Sequence, residues 1–108
     1  GYTLYFRRHI RYQEQLLHTT FNDANARPLY PHSHIIFSDD WLIFSGKAAF
    51  CRAYIRRITV STRPSGHTYV HILKIYATDG KRYTHRFSSR SDAKKVQQWF
   101  NADPPSSP

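Results

Sequence analysis

The chain has 108 residues and a formal charge of +9, from sixteen Lys and Arg against seven Asp and Glu. A length of this order fits one domain closing one core without staples, and the lone Cys51 excludes both an intrachain disulfide and an all-cysteine zinc site. No apolar run approaches the roughly 20 residues of a membrane span, and an excess of positive charge bears on partners rather than on fold.

The sequence opens on Gly and holds no Met, which reads as a piece cut from a longer protein or as a cloning scar, and the single cysteine points to a reducing compartment. "YTLYF" (2–6) followed by "RRHIR" (7–11) reads as a first strand with a basic turn. Its alternative is the cytoplasmic edge of a membrane helix, with rings at the interface and Arg just inside. Residues 7–21 carry a helical stripe of Ile10, Leu17 and Phe21, with Glu14 four residues from a basic neighbour. "NDANARP" (22–28), closed by Pro28 and Pro31, reads as a connection.

From residue 33 the period changes to two. "SHIIF" and "WLIF" flank Ser38-Asp39-Asp40 as a hairpin, and "SGK" (45–47) breaks the chain again. "AFCRAYIRRITVST" (49–62) reads as one strand, "RPSG" (63–66) as a turn and "HTYVHILKIYA" (67–77) as a long strand. "TDGK" (78–81) holds Asp-Gly, the strongest hairpin signal in the chain, and "RYTHRFS" (82–88) returns as its partner. In that strand Tyr83, His85 and Phe87 share one face, and Arg82, Thr84 and Arg86 share the other. A closing helix follows, capped by Ser91, with Asp92 in its first turn, Ala93, Val96 and Phe100 on one face and Trp99 beside it.

These elements predict an α+β fold. It is a curled antiparallel sheet or barrel of about five to seven strands, capped by a C-terminal helix and preceded by an N-terminal helix or strand. Residues 1–32 form an N-terminal element and linker in a membrane-proximal setting, 33–101 the main fold and 102–108 a disordered tail ending in "DPPSSP".

The strand meander ended by "FSSRSDAKKVQQWF" resembles the pleckstrin-homology-like superfold, including small bacterial PH-like domains, over about residues 33–101. Phe87, Val96 and Trp99 stand where that family ends its last strand and lays a Trp-bearing helix on the barrel mouth. "IRRITV" (55–60) is similar to the bacterial type. The resemblance implies a PH-like β-barrel acting as a binding module. The basic first hairpin of phosphoinositide-binding members is largely missing, because Asp39 and Asp40 occupy that turn and only Lys47 follows.

Seven histidines raise metal and catalytic readings. His32 and His34 in an extended "PHSH" would share one side of the chain, and zinc would need His18, His67 or Cys51 as well. "HSHIIF" approaches the His-hydrophobic-His strand of single-strand nucleases, but its middle residue is Ser33 and the C-terminal helix offers no nucleophilic Tyr. "HTTF" has the shape of one half of a paired His-x-Thr phosphoesterase signature whose second half is absent. Asp39, Asp40 and Asp79 sit at turns for backbone reasons, and Cys51 reads as a small core residue. We therefore expect no enzyme, no cofactor and no metal site.

Cations recur where strands could bring them together: Lys47, Arg52, Arg56, Arg57, Lys74, Arg82 and Arg86. The leading expectation is a non-enzymatic module presenting this basic surface to an anionic membrane face or an acidic protein partner. Its expected location is cytoplasmic, at the inner face of a membrane. Nucleic acid is the alternative partner. A His-dependent nuclease or phosphoesterase is the weaker third.

Overall fold

The computed structural model describes residues 2–102, with side chains from Leu4 onward. The tail reading falls outside these residues except at Ala102, whose N–H caps the last helix on Gln98 O. Among the described residues the fold is α+β: a helix, seven strands in two open antiparallel sheets and a second helix, with no closed barrel. It divides into two compact units at Tyr54/Ile55.

In the first unit, helix α1 spans Tyr2–Leu17 and absorbs "YTLYF", so the strand reading of that segment is corrected. The run lacks Gly and Pro, and its inward residues Phe6, His9, Ile10, Gln13 and Leu17 keep a helical period. That continuous stripe overrides the β-preference of the leading rings. No helix among the described residues is long and apolar enough to cross a membrane. The helix also ends earlier than the expected residue 21. His18 adopts φ 53°, Thr19 N–H donates to Glu14 O at 3.1 Å, and the Glu14 carboxylate accepts the Phe21 N–H at 2.8 Å. This is a Schellman ending with His at the left-handed position that normally favours glycine. Phe21, freed from the helix, packs edge-on against Trp41 with centroids 4.9 Å apart. Substituting His18→Gly removes the left-handed penalty and is expected to raise stability by roughly 0.5–1 kcal/mol. A urea melt reads this directly, and an unchanged or lowered midpoint contradicts it.

Strands β1 (Arg27–Pro28), β2 (Ile35–Phe37), β3 (Trp41–Phe44) and β4 (Ala48–Cys51) form one sheet in chain order. The β2–β3 hairpin turns on Ser38-Asp39-Asp40 as the pattern predicts. Buried Ser38 closes it, its N–H donating to Trp41 O and its Oγ accepting the Trp41 N–H. Asn25 Nδ2 donates to the Asp39 carboxylate and Asp39 N–H to Ala24 O, so the 22–26 connection is tied to that turn. Trp41, Leu42, Ala49, Phe50 and Tyr54 fill this unit's core.

Gln13 joins α1 to β4. Its Nε2 donates to Ala49 O at 2.7 Å and its Oε1 accepts the Cys51 N–H at 2.8 Å, so one side-chain amide meets both backbone groups as a neighbouring strand would. The same Nε2 lies 3.2 Å from His9 Nε2. Because Ala49 and Cys51 fix the amide's orientation, His9 Nε2 faces a donor and acts as acceptor.

The run 49–62 is not one strand. Arg52–Tyr54 forms a 3-10 turn between β4 and the second unit, where β5 (Ile55–Ser65), β6 (Thr68–Ala77) and β7 (Arg82–Phe87) form a sheet in that order. β5 extends through the expected 63–66 turn, and the reversal sits at Gly66-His67. Pro64 is tolerated because β5 is an edge strand, where a missing N–H costs no ladder bond. Gly80 at φ +89° closes the β6–β7 turn, as Asp-Gly predicts.

Ile55 pairs with Ala77 but Arg57 with Tyr76, so Arg56 is the extra residue of a β-bulge. Strict alternation would send either Ile55 or Ile58 outward; the bulge lets both be buried. Helix α2 (Arg90–Asn101) packs on β5, β6 and β7 and buries Ala93, Val96 and Trp99. Gln97 Nε2 reaches Ile58 O at 2.9 Å. The N-cap is Ser89 rather than the expected Ser91: Ser89 is extended at φ −112° and its Oγ accepts the Asp92 N–H. Arg90 takes helical geometry, which places Ser91 inside the first turn.

Candidate anion-binding face

The cross-strand register sorts the second unit's sheet into two faces. Ile58, Leu73, Ile75 and Phe87 are buried, with Tyr83 and His85 half-buried on the same side. The opposite face carries three rows across the strands. Arg57, Tyr76 and Arg82 form the first, Thr59, Lys74 and Thr84 the second, and Ser61, Ile72 and Arg86 the third. Arg57, Arg82, Thr84 and Arg86 are exposed, and none of the nine residues is acidic.

Charge is concentrated in this unit. Ile55–Ala102 holds ten Lys and Arg against two acids, Asp79 and Asp92, and so carries +8 of the chain's +9. Neither acid lies on the three rows. Asp79 belongs to the β6–β7 turn, where its Oδ1 accepts the Lys81 N–H, and Asp92 to the start of α2.

Tyr76 gives the face its geometry. The Arg57 guanidinium stacks over its ring, with Cζ 4.3 Å from the centroid. Partial desolvation raises the Tyr76 phenol, but a hydrogen bond with the Thr59 side chain and the charges of Lys74, Arg57 and Arg82 outweigh it. The group therefore titrates below the ordinary tyrosine value. The ring thus places one guanidinium over it across the β5–β6 pair. An arginine held this way loses little side-chain freedom when it takes up a carboxylate or phosphate. A difference titration of the protein against its Tyr76→Phe variant is expected to isolate one phenolate forming at lower pH than the other tyrosines, and Arg57→Ala is expected to move it upward. A Tyr76 midpoint at or above the ordinary value contradicts this electrostatic picture.

Of the residues singled out from sequence, Arg57, Lys74, Arg82 and Arg86 meet on this face, and exposed Arg56 adjoins it in the bulge. Lys47 and Arg52 lie in the first unit. Lys47 is exposed in the β3–β4 turn. Arg52 serves the fold: its Nη2 donates to Asp39 O at 2.9 Å and its N–H bonds Asp40 O, which ties the end of β4 to the 38–40 turn. Burial lowers the Arg52 pKa, while the nearby Asp40 and Asp39 charges oppose that shift. Sequence reasoning missed Tyr76 and Thr59, because a ring on one strand joins arginines on its neighbours only through the register. The odd spacing of Ile55 and Ile58 around "RR" was the one available sign of the bulge that sets it.

The histidines do not converge. His18 ends α1, and His32, at φ 66°, occupies a turn closed by Ser33 N–H on Tyr30 O. "PHSH" is thus bent rather than extended, which corrects the geometry assumed for a His32–His34 pair. Among the described residues no three His, Cys, Asp or Glu side chains gather to hold a metal ion. Cys51 is buried, and desolvation pushes its thiol up, as suits a core residue. Comparison of the chain with protein-family models, with curated proteins and with solved structures finds no match.

Proposed function

We propose that the chain is a non-enzymatic binding module whose three-stranded sheet grips an anionic partner, either an acidic protein or an anionic membrane face. The observation that carries this reading is the acid-free row of Arg57, Tyr76 and Arg82, with Lys74 and Arg86 beside it, in a unit holding nearly all of the net charge. No two of these cations stand directly opposite, but Lys74 is diagonal to Arg57, Arg82 and Arg86, and an anionic ligand offsets the repulsion among like charges gathered this way. Nucleic acid is less well matched: base stacking needs an open ring face, and Arg57 covers one face of Tyr76.

Binding of the intact chain to polyglutamate, to vesicles with and without phosphatidylserine, and to a single-stranded oligonucleotide, each at low and high salt, tests the proposal. The expected result is salt-sensitive binding to polyglutamate or to the anionic vesicles. No binding to either at low salt overturns the reading, and a clear preference for the oligonucleotide replaces it with the nucleic-acid alternative.

A further inference from the structure

We infer that helix α1 is a second contact surface, which lies against an anionic lipid surface. Its inward stripe docks on β4, but its outer side is not simply polar. Tyr5, Tyr12 and Leu16 are 53%, 38% and 45% exposed, and their spacing of seven and four residues sets them on one line. Leu4, 51% exposed, stands on the adjoining arc among exposed Arg8 and Arg11, with exposed Arg7 next to it. Single exposed apolar residues are ordinary. Four on the outer side of one four-turn helix, three in a line and Leu4 on the adjoining arginine-bearing arc, are a pattern.

The rings are held in place from the protein side. Tyr5 stacks on buried His9, with planes 7° apart, and Tyr12 meets Tyr54 edge-on at 6.1 Å. The only acid of α1, Glu14, accepts the Phe21 N–H and so is committed to the helix ending. Rings and leucines at the depth of lipid headgroups, with arginines reaching the phosphates, match the chemistry of an interfacial helix. The arginine stems add apolar cover while their charged ends stay at the phosphate level. A second copy of the chain fits less well, since a symmetric pairing of this side would set Arg7, Arg8 and Arg11 against their own counterparts. This inference does not depend on which partner the β5–β7 face takes, because α1 belongs to the other unit.

The test is cosedimentation of the intact chain with phosphatidylcholine vesicles and with vesicles containing about one quarter phosphatidylserine. The chain is expected to bind the second kind. Leu4→Gln with Leu16→Gln, which leaves every charge in place, is expected to lower that binding about tenfold. Arg8→Gln with Arg11→Gln is expected to lower it about thirtyfold, at about tenfold per 1.4 kcal/mol and about 1 kcal/mol per charge. An environment-sensitive dye on Leu16→Cys is expected to shift to the blue on the anionic vesicles only. Undiminished binding by the Leu4/Leu16 variant, no binding by the unaltered chain, or an unshifted dye overturns the inference. So does a dimer of the unaltered chain that the Leu4/Leu16 variant splits. The sheet-face proposal is read separately, on polyglutamate with Arg57 and Arg82 substituted, so either surface can fail alone.

Discussion

Replacing Gln13 by Glu is expected to destabilise the protein by about 3–5 kcal/mol near neutral pH, the scale on which a buried charge loses its partner. The carboxylate keeps an acceptor for the Cys51 N–H but turns a second oxygen toward Ala49 O, where an N–H had donated at 2.7 Å. Protonation repairs this, because a carboxylic acid offers one O–H and one C=O in nearly the amide's arrangement. Burial and the facing carbonyl raise the folded-state pKa of the introduced carboxyl above its unfolded value of about 4.3, against which a proton on His9 Nε2, 3.2 Å from the replaced atom, would act. For a raised carboxyl, the repaired contact is fully present below the unfolded value and is lost as pH rises through the folded one. Urea melts of the variant and the parent should thus converge toward pH 4 and diverge by pH 7. Gln13→Leu supplies the contrast: it abandons Ala49 O and Cys51 N–H at every pH and should lose about 2–4 kcal/mol without that convergence. A Glu variant as stable as the parent at pH 7 would show that the amide bridge does not hold α1 to β4.

The second large effect concerns binding. Arg57→Gln with Arg82→Gln is expected to weaken attachment to the anionic partner about thirtyfold, at about 1 kcal/mol per charge near an anionic surface and tenfold per 1.4 kcal/mol. Arg90→Gln with Lys95→Gln, on exposed positions of α2, removes the same net charge away from the face and should cost only a few-fold. Equal losses from the two pairs would mean that bulk charge, rather than this face, does the binding. Tyr76→Leu changes no charge, yet it releases Arg57 from the ring stacked 4.3 Å below it, and should cost about threefold. Surface plasmon resonance over immobilised polyglutamate resolves all three.

Much of the architecture could be read from local patterns. The 38–40 and Asp79-Gly80 turns, the alternation of 82–87 and the inward Ala93, Val96 and Trp99 each depend on periods and turn residues that act within a few positions. The misreadings share a different cause. "YTLYF" has strand-favouring rings, but its helical state is fixed by a stripe continuing through Gln13 and Leu17 and by docking on β4. Arg52–Tyr54 breaks an apparently continuous strand because Arg52 is drawn to the 38–40 turn, a contact between residues far apart in sequence. Gln13 itself gives no signal: a glutamine on the inner stripe of a helix looks like an error of pattern until its two backbone partners are known. The candidate face was half legible. Its arginines stood out by number, whereas Tyr76 joined them only through the pairing register and the bulge at Arg56.

The Gln13 bridge also bears on solubility. β4 is the last strand of its sheet, and the amide occupies a carbonyl and an N–H there that would otherwise be open to a strand from another molecule. Loss of α1, by proteolytic nicking near the 22–26 loop for instance, would uncover the apolar run Ala48–Cys51 as a template for intermolecular pairing. The nicked protein should then self-associate in sheet-like aggregates, whereas the intact chain keeps that template sealed with one side chain.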